Sequence, residues 1–186
     1  MQDSFDDKGW GCAYRTFQTI CSWLHLQGYT NLPVPSHRTI QQDLVACSSS
    51  SSQSSSSSIV GSKQWIGAVE LQMVLQHRYC IESRILHVPS GADVSSKARD
   101  IYKHFKSEGT PVMIGGGHLA YGLLGIDWNV TEKKSKYLIL DPHYTGSDDN
   151  VSKILKNGWC GWKDASDVFK ADNFYNFLLP QRPRVI

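Results

Sequence analysis

The chain lacks a surplus of either charge. Its 19 Lys and Arg stand against 17 Asp and Glu, a net +2 over 186 residues. The basic residues form no run or stripe, which removes the electrostatic footprint of a nucleic-acid binder. Long hydrophobic runs are also missing: the longest apolar stretches are strand-sized, so none reads as a bilayer span. The polar, acidic opening Met1 to Lys8 has no basic-then-apolar pattern, and no secretory leader is expected. Cysteine is scarce and odd in number, five residues with no C-x-x-C pair, which excludes a disulfide scaffold. The seven histidines do not cluster with the cysteines at ligand spacing, so neither a metal site nor a cofactor is expected. A reducing, cytoplasmic setting follows as the expectation, and the sequons at Asn129 and Asn150 read as chance matches.

What is present suits one globular domain over residues 1–186, with 40% hydrophobic residues and six tryptophans to fill a core. The periodicity predicts helices over 12–27, stopped by Gly28, and over 37–46, capped by Ser36. A third helix starts at Ala68, a fourth spans 95–107, and a short one lies around 151–155. Strands are predicted over 81–88, 111–114, 119–128, 136–140 and 174–179. The polar stretch 131–135 between two of them favours an antiparallel hairpin. Helices first and sheet second make the fold class α+β. Residues 48–58, ten serines interrupted only by Gln53, contain nothing that offsets the entropy of ordering, and read as a surface loop within the domain.

The chain is organised around Gly9-Trp10-Gly11-Cys12-Ala13-Tyr14-Arg15. After Cys12 the apolar residues Ala13, Phe17, Ile20 and Leu24 fall at helical steps, so Cys12 sits at a helix N-terminus. Unpaired backbone N–H groups there stabilise a thiolate. In the second half, Asp141-Pro142-His143 closes the hairpin. Residues i and i+2 of an extended chain share a face, which would project Asp141 and His143 together. A carboxylate beside an imidazole fixes the ring tautomer and stabilises the imidazolium, leaving the other nitrogen to exchange a proton with a thiol. A nucleophile on an early helix and a base on a late sheet is the papain-like division of labour. Cys160, between Gly-Trp and Gly-Trp, repeats the first motif superficially but precedes no amphipathic helix, and reads as a packed turn. Gly115-Gly116-Gly117 is not a phosphate loop, since no Lys-Ser/Thr pair follows. Arg15 could support the lead-in loop or acidic groups of a substrate.

The blocks GWGCAYRTFQTICSWL, VGSKQWIGAVE, SEGTPVMIGGG, LILDPHYTG, GWCGWK and LPQRP resemble the protease family specific for ubiquitin-fold modifier, over nearly the whole chain. A second resemblance, through the GWGC and Asp-Pro-His motifs alone, is to autophagy cysteine proteases acting on another ubiquitin-like protein. The first implies a papain-like thiol protease without cofactor, with Cys12 as nucleophile, His143 as base then acid, and Asp141 as orienter. It implies cleavage after the modifier's C-terminal glycine, in the precursor and in lysine conjugates. The implied substrate-facing residues are Trp10, Gly11, Trp65 and His118, with Trp65 covering a slot too narrow for large side chains. His118 carries a structural alternative, as does Trp65. Longer family members reach the cytosolic face of the endoplasmic reticulum through an adaptor, which is the implied further partner. The family also uses an upstream tyrosine at the oxyanion hole, at a position expected just before Met1. A catalytically impaired module that binds the modifier or an adaptor is the alternative from another class.

Overall fold

The four-three-four spacing of Ala13, Phe17, Ile20 and Leu24 becomes the buried face of α1 (Cys12–Leu26), where the last three are fully inaccessible. Gly28 ends the helix in the left-handed region at φ +76, and its N–H donates to the His25 carbonyl. The computed structural model describes residues 5–48, 59–132, 134–146 and 150–183. The serine tract therefore lies, from 49 onward, outside the described residues. α2 (His37–Ser48) starts where Ser36 Oγ accepts the Thr39 N–H at 3.1 Å. α3 (Ala68–Tyr79) starts at Gly67, whose N–H donates to the Glu70 carboxylate at 2.9 Å.

Six strands form one sheet: β1 (Ser83–Val88), β2 (Val112–Gly116), β3 (Leu119–Asn129), β4 (Lys134–Leu140), β5 (Cys160–Asp164) and β6 (Tyr175–Pro180). Their order is β1-β6-β2-β3-β4-β5, and every neighbouring pair is antiparallel. The predicted α+β arrangement is observed, with helices on both faces of the sheet. Alternation along β2 sends Met113 into a core shared with α1, α2 and α3. It sends Val112 and Ile114 into a second core, with Ile101 of α4 (Ala98–Ser107) and Phe169, which follows α6 (Ala165–Val168). β1, from the helical half of the sequence, completes this sheet beside the last strand.

Three expectations change. The fourth helix does not begin at 95: a 3-10 turn, Gly91–Lys97, leads into α4. α5 (Val151–Lys156) is followed by only one turn glycine, Gly158 at φ +73. From Cys160 the chain is strand, not packed turn: Leu140 registers with Cys160 and Lys136 with Asp164. β5 pairs on one side only and its residues are half-buried or exposed, so it carries no apolar run to announce it. Third, β3 and β4 extend into the polar stretch between them, pairing out to Asn129 and Lys134.

Candidate active site

The approach to Cys12 is locked from behind. Asp7 accepts the N–H groups of Trp10 and Gly11 on its carbonyl, at 3.2 and 2.8 Å. Its buried carboxylate binds Arg15 Nε at 2.5 Å and faces His37 Nε2 at 3.2 Å, tying the lead-in to α1 and α2 together. Arg15 thus supports the lead-in. A Cβ on Gly11 would lie 2.4 Å from the Asp7 carboxylate. Gly11 makes room for that side chain and does not line the cleft in front of Cys12. Trp10 does contribute to the cleft wall, yet it is 7% exposed, its ring packed edge-on against Tyr14 and His37. Cys12 emerges half-buried as the first residue of α1.

The base side is built by three consecutive residues. Asp141 N–H donates to the Trp159 carbonyl at 2.7 Å, anchoring the end of β4. The chain then turns instead of continuing extended. Asp141 Oδ1 accepts the His143 backbone N–H at 3.0 Å and meets ring Nδ1 at 2.6 Å. Side-chain pairing comes from this Asx turn, not from strand alternation. With Nδ1 engaged, the other ring nitrogen is left free, and Cys12 is close enough to act on the same ring. The Asp141 bond first, and the nearby Cys12 side chain second, raise His143 to a pKa of about 10. Burial pushes the Asp141 carboxyl up, but the two His143 hydrogen bonds outweigh it and the net direction is down. Carboxylate and imidazolium therefore coexist at neutral pH.

In front of Cys12 lies a cleft of about 270 Å³. Its roof is Trp65, 52% exposed, with Nε1 donating to the Gly9 carbonyl at 3.1 Å and the ring edge-on to His118 at 5.5 Å. This exposed position removes the core alternative for Trp65. The loop carrying it is pinned by Gln41, which bonds Gly61 N–H and the Ser62 carbonyl, and by the Tyr14 hydroxyl on the Gln64 carbonyl. His118, in the β2–β3 turn, is exposed and lines the cleft. The adjoining glycines answer to packing: a Cβ on Gly116 would lie 2.3 Å from the Tyr175 ring, and Gly117 has φ +57. A larger groove of about 1040 Å³ runs along α1 and α2 past Trp23 and Val34, but Cys12 does not line it.

Two contributors escaped the sequence reading. Tyr121 of β3 stands edge-on to His143 at 5.9 Å, its phenol pushed up chiefly by burial and then by Asp141. Asn176 of β6 lines the cleft. It carried one signal, a polar residue at a position whose strand mate two residues on, Leu178, is core.

An antiparallel sheet that brings an Asp–His pair to a cysteine on the first turn of a helix defines the papain-like cysteine peptidases. The family model described as Peptidase family C78 matches residues 1–178, and the chain belongs to that family. This decides between the two resemblances. Ufm1-specific protease 2 of Homo sapiens is 52% identical over 186 residues, covering 100% of this chain and 38% of its own length. Ufm1-specific protease of Caenorhabditis elegans is 52% identical over 183 residues, 98% of this chain and 30% of its own. The crystal structure of UfSP from C. elegans superposes with a TM-score of 0.87 at 48% identity, over 100% of this chain and 32% of that one. The chain thus spans less than two fifths of the relatives it matches.

Proposed function

We propose that the chain is a thiol protease cutting after the C-terminal glycine of Ufm1, both to trim the precursor and to release the modifier from lysine conjugates. The observation that carries this reading is the 2.6 Å Asp141–His143 bond on a ring that Cys12, opening α1, also acts upon. Having passed its proton to the His143 ring, the Cys12 sulfur attacks the glycine carbonyl carbon, forming the C–S bond as the carbonyl π pair moves to oxygen. The N-terminus of α1 faces the developing oxyanion with backbone N–H groups. His143 gives its proton to the leaving amine as the C–N bond breaks, producing a thioester and a neutral ring. The ring then takes a proton from water as hydroxide adds to the thioester, and returns it to the departing sulfur. Asp141 keeps the imidazole oriented through both halves. The cleft of about 270 Å³ beneath Trp65 suits a tail of small residues. Recruitment to the cytosolic face of the endoplasmic reticulum through an adaptor belongs to the same proposal, on the family resemblance alone, with cell fractionation as its check.

A Ufm1 propargylamide probe tests the reading. Covalent labelling of the chain, lost in Cys12→Ala and absent with probes ending in other modifiers' tails, is the expected result. No labelling of the unmodified chain would leave a binding module in place of a protease.

A further inference from the structure

We propose that Asn176 binds the substrate main chain, its side-chain amide donating to a carbonyl of the extended tail that reaches Cys12. This rests on the reading of the cleft as a tail site. Asn176 registers with Gly115 on β2 and with His87 on β1. Its neighbours Tyr175 and Phe177 enter the α4-side core, so alternation turns Asn176 to the opposite face, where it lines the cleft with Cys12.

His87 sets the amide's orientation. Its Nδ1 lies 2.8 Å from Asn176 Oδ1, and since an amide oxygen only accepts, the ring is the donor. The Nδ2 group is left over. It meets no acceptor among the described residues, yet it is not sealed from solvent. Apart from His118 at the turn, few side chains of the cleft can bond an extended peptide. Ile66, Met113, Leu119 and Phe174 are apolar, and the Glu70 carboxylate accepts the Gly67 N–H. A tail passing through presents a carbonyl at every residue, about 3.3 Å apart, and each one desolvated without a donor weakens binding. A donor that reads only the main chain fits a tail whose side chains are too small to grip.

The test is steady-state cleavage of Ufm1 carrying a fluorogenic group on its C-terminal glycine. Asn176→Ala is expected to raise KM about five- to tenfold with little change in kcat, the effect of one lost hydrogen bond. Asn176→Asp, which keeps the shape but removes the N–H donors, should raise it at least as far. His87→Ala, at an exposed ring, should move KM the same way by less, because the amide remains but is free to turn. Alkylation of Cys12 by iodoacetamide, which does not fill the cleft, should stay at the wild-type rate in all three. An unchanged KM, or a parallel fall in kcat and alkylation, would overturn the proposal and make Asn176 a strut of the sheet. If Asn176→Ala fails to fold, His87→Ala alone decides. A wild-type chain inert toward the substrate would overturn the Ufm1 reading and this one with it; wild-type turnover indifferent to Asn176→Ala overturns this one alone.

Discussion

The two halves of the candidate site are held by different means. The cysteine side is positioned at long range: Asp7 and Arg15, from the lead-in and α1, meet as a buried ion pair with the His37 ring of α2 beside them. The base side is positioned locally, by a turn in which one carboxylate oxygen takes both a backbone and a ring hydrogen bond two residues on. Damage to the first should therefore propagate through the fold, while damage to the second should stay at the chemistry. Buried charges left without their partner cost more than the pair contributes when intact. An Asx turn at a half-exposed position carries no such penalty.

The largest effect should come from the two reacting groups themselves, without any loss of fold. Cys12→Ala is expected to abolish turnover, and His143→Ala to lower it by at least about 10³-fold. In both, thermal unfolding should stay close to wild type by circular dichroism. Unfolding of His143→Ala would erase the contrast between the halves. Next in size, Asp7→Ala should destabilise the chain by about 3–5 kcal/mol, because Arg15 stays buried after losing that carboxylate. Urea denaturation measures this, and a loss under about 1 kcal/mol would show that the network behaves as an exposed pair. Gly11→Ala should act in the same direction, through its collision with Asp7.

The pH dependence should separate the halves further. His143 is raised in the folded chain, so its contribution to stability is full below the unfolded value of about 6.5. That contribution fades as pH climbs through about 10. Asp141 is lowered, so its contribution is present above the unfolded value of about 3.9 and fades as pH falls through its lower folded value. Denaturation curves across the alkaline range should slope downward in wild type and flatten in His143→Ala; equal slopes would mean the ring gains nothing from Asp141 and Cys12. A smaller effect is expected from Trp65→Ala, which removes the roof without touching the sulfur. It should raise the KM for Ufm1 a few-fold and relax discrimination against larger tail residues, read from a substrate panel. Smallest of all, shortening the serines of 49–58 to three should leave both stability and turnover within error of wild type, by the same two assays.

Much of this was legible in the chain. The α1 face, the Ser36 cap, the Gly28 stop and the hairpin all rest on local steric and hydrogen-bonding preferences that a neighbourhood of a few residues expresses. β5 was not legible, since an edge strand with Gly161 and an exposed Trp162 has neither alternation nor an apolar run. Nor was the reason for Gly11. A glycine beside a nucleophile suggests room for substrate, while the occupant of that space is the Asp7 side chain.

By itself, the sequence determined the reactive groups: a cysteine opening an amphipathic helix, and an Asp-Pro-His turn whose internal hydrogen bonds need no distant partner. Only the tertiary structure decided that they meet, that Trp65 and His118 roof the cleft, and that Asn176 opens into it. Those are distances between elements far apart along the chain. They are set by how α1 and the Trp65 loop pack on a six-stranded sheet, and no local preference encodes them.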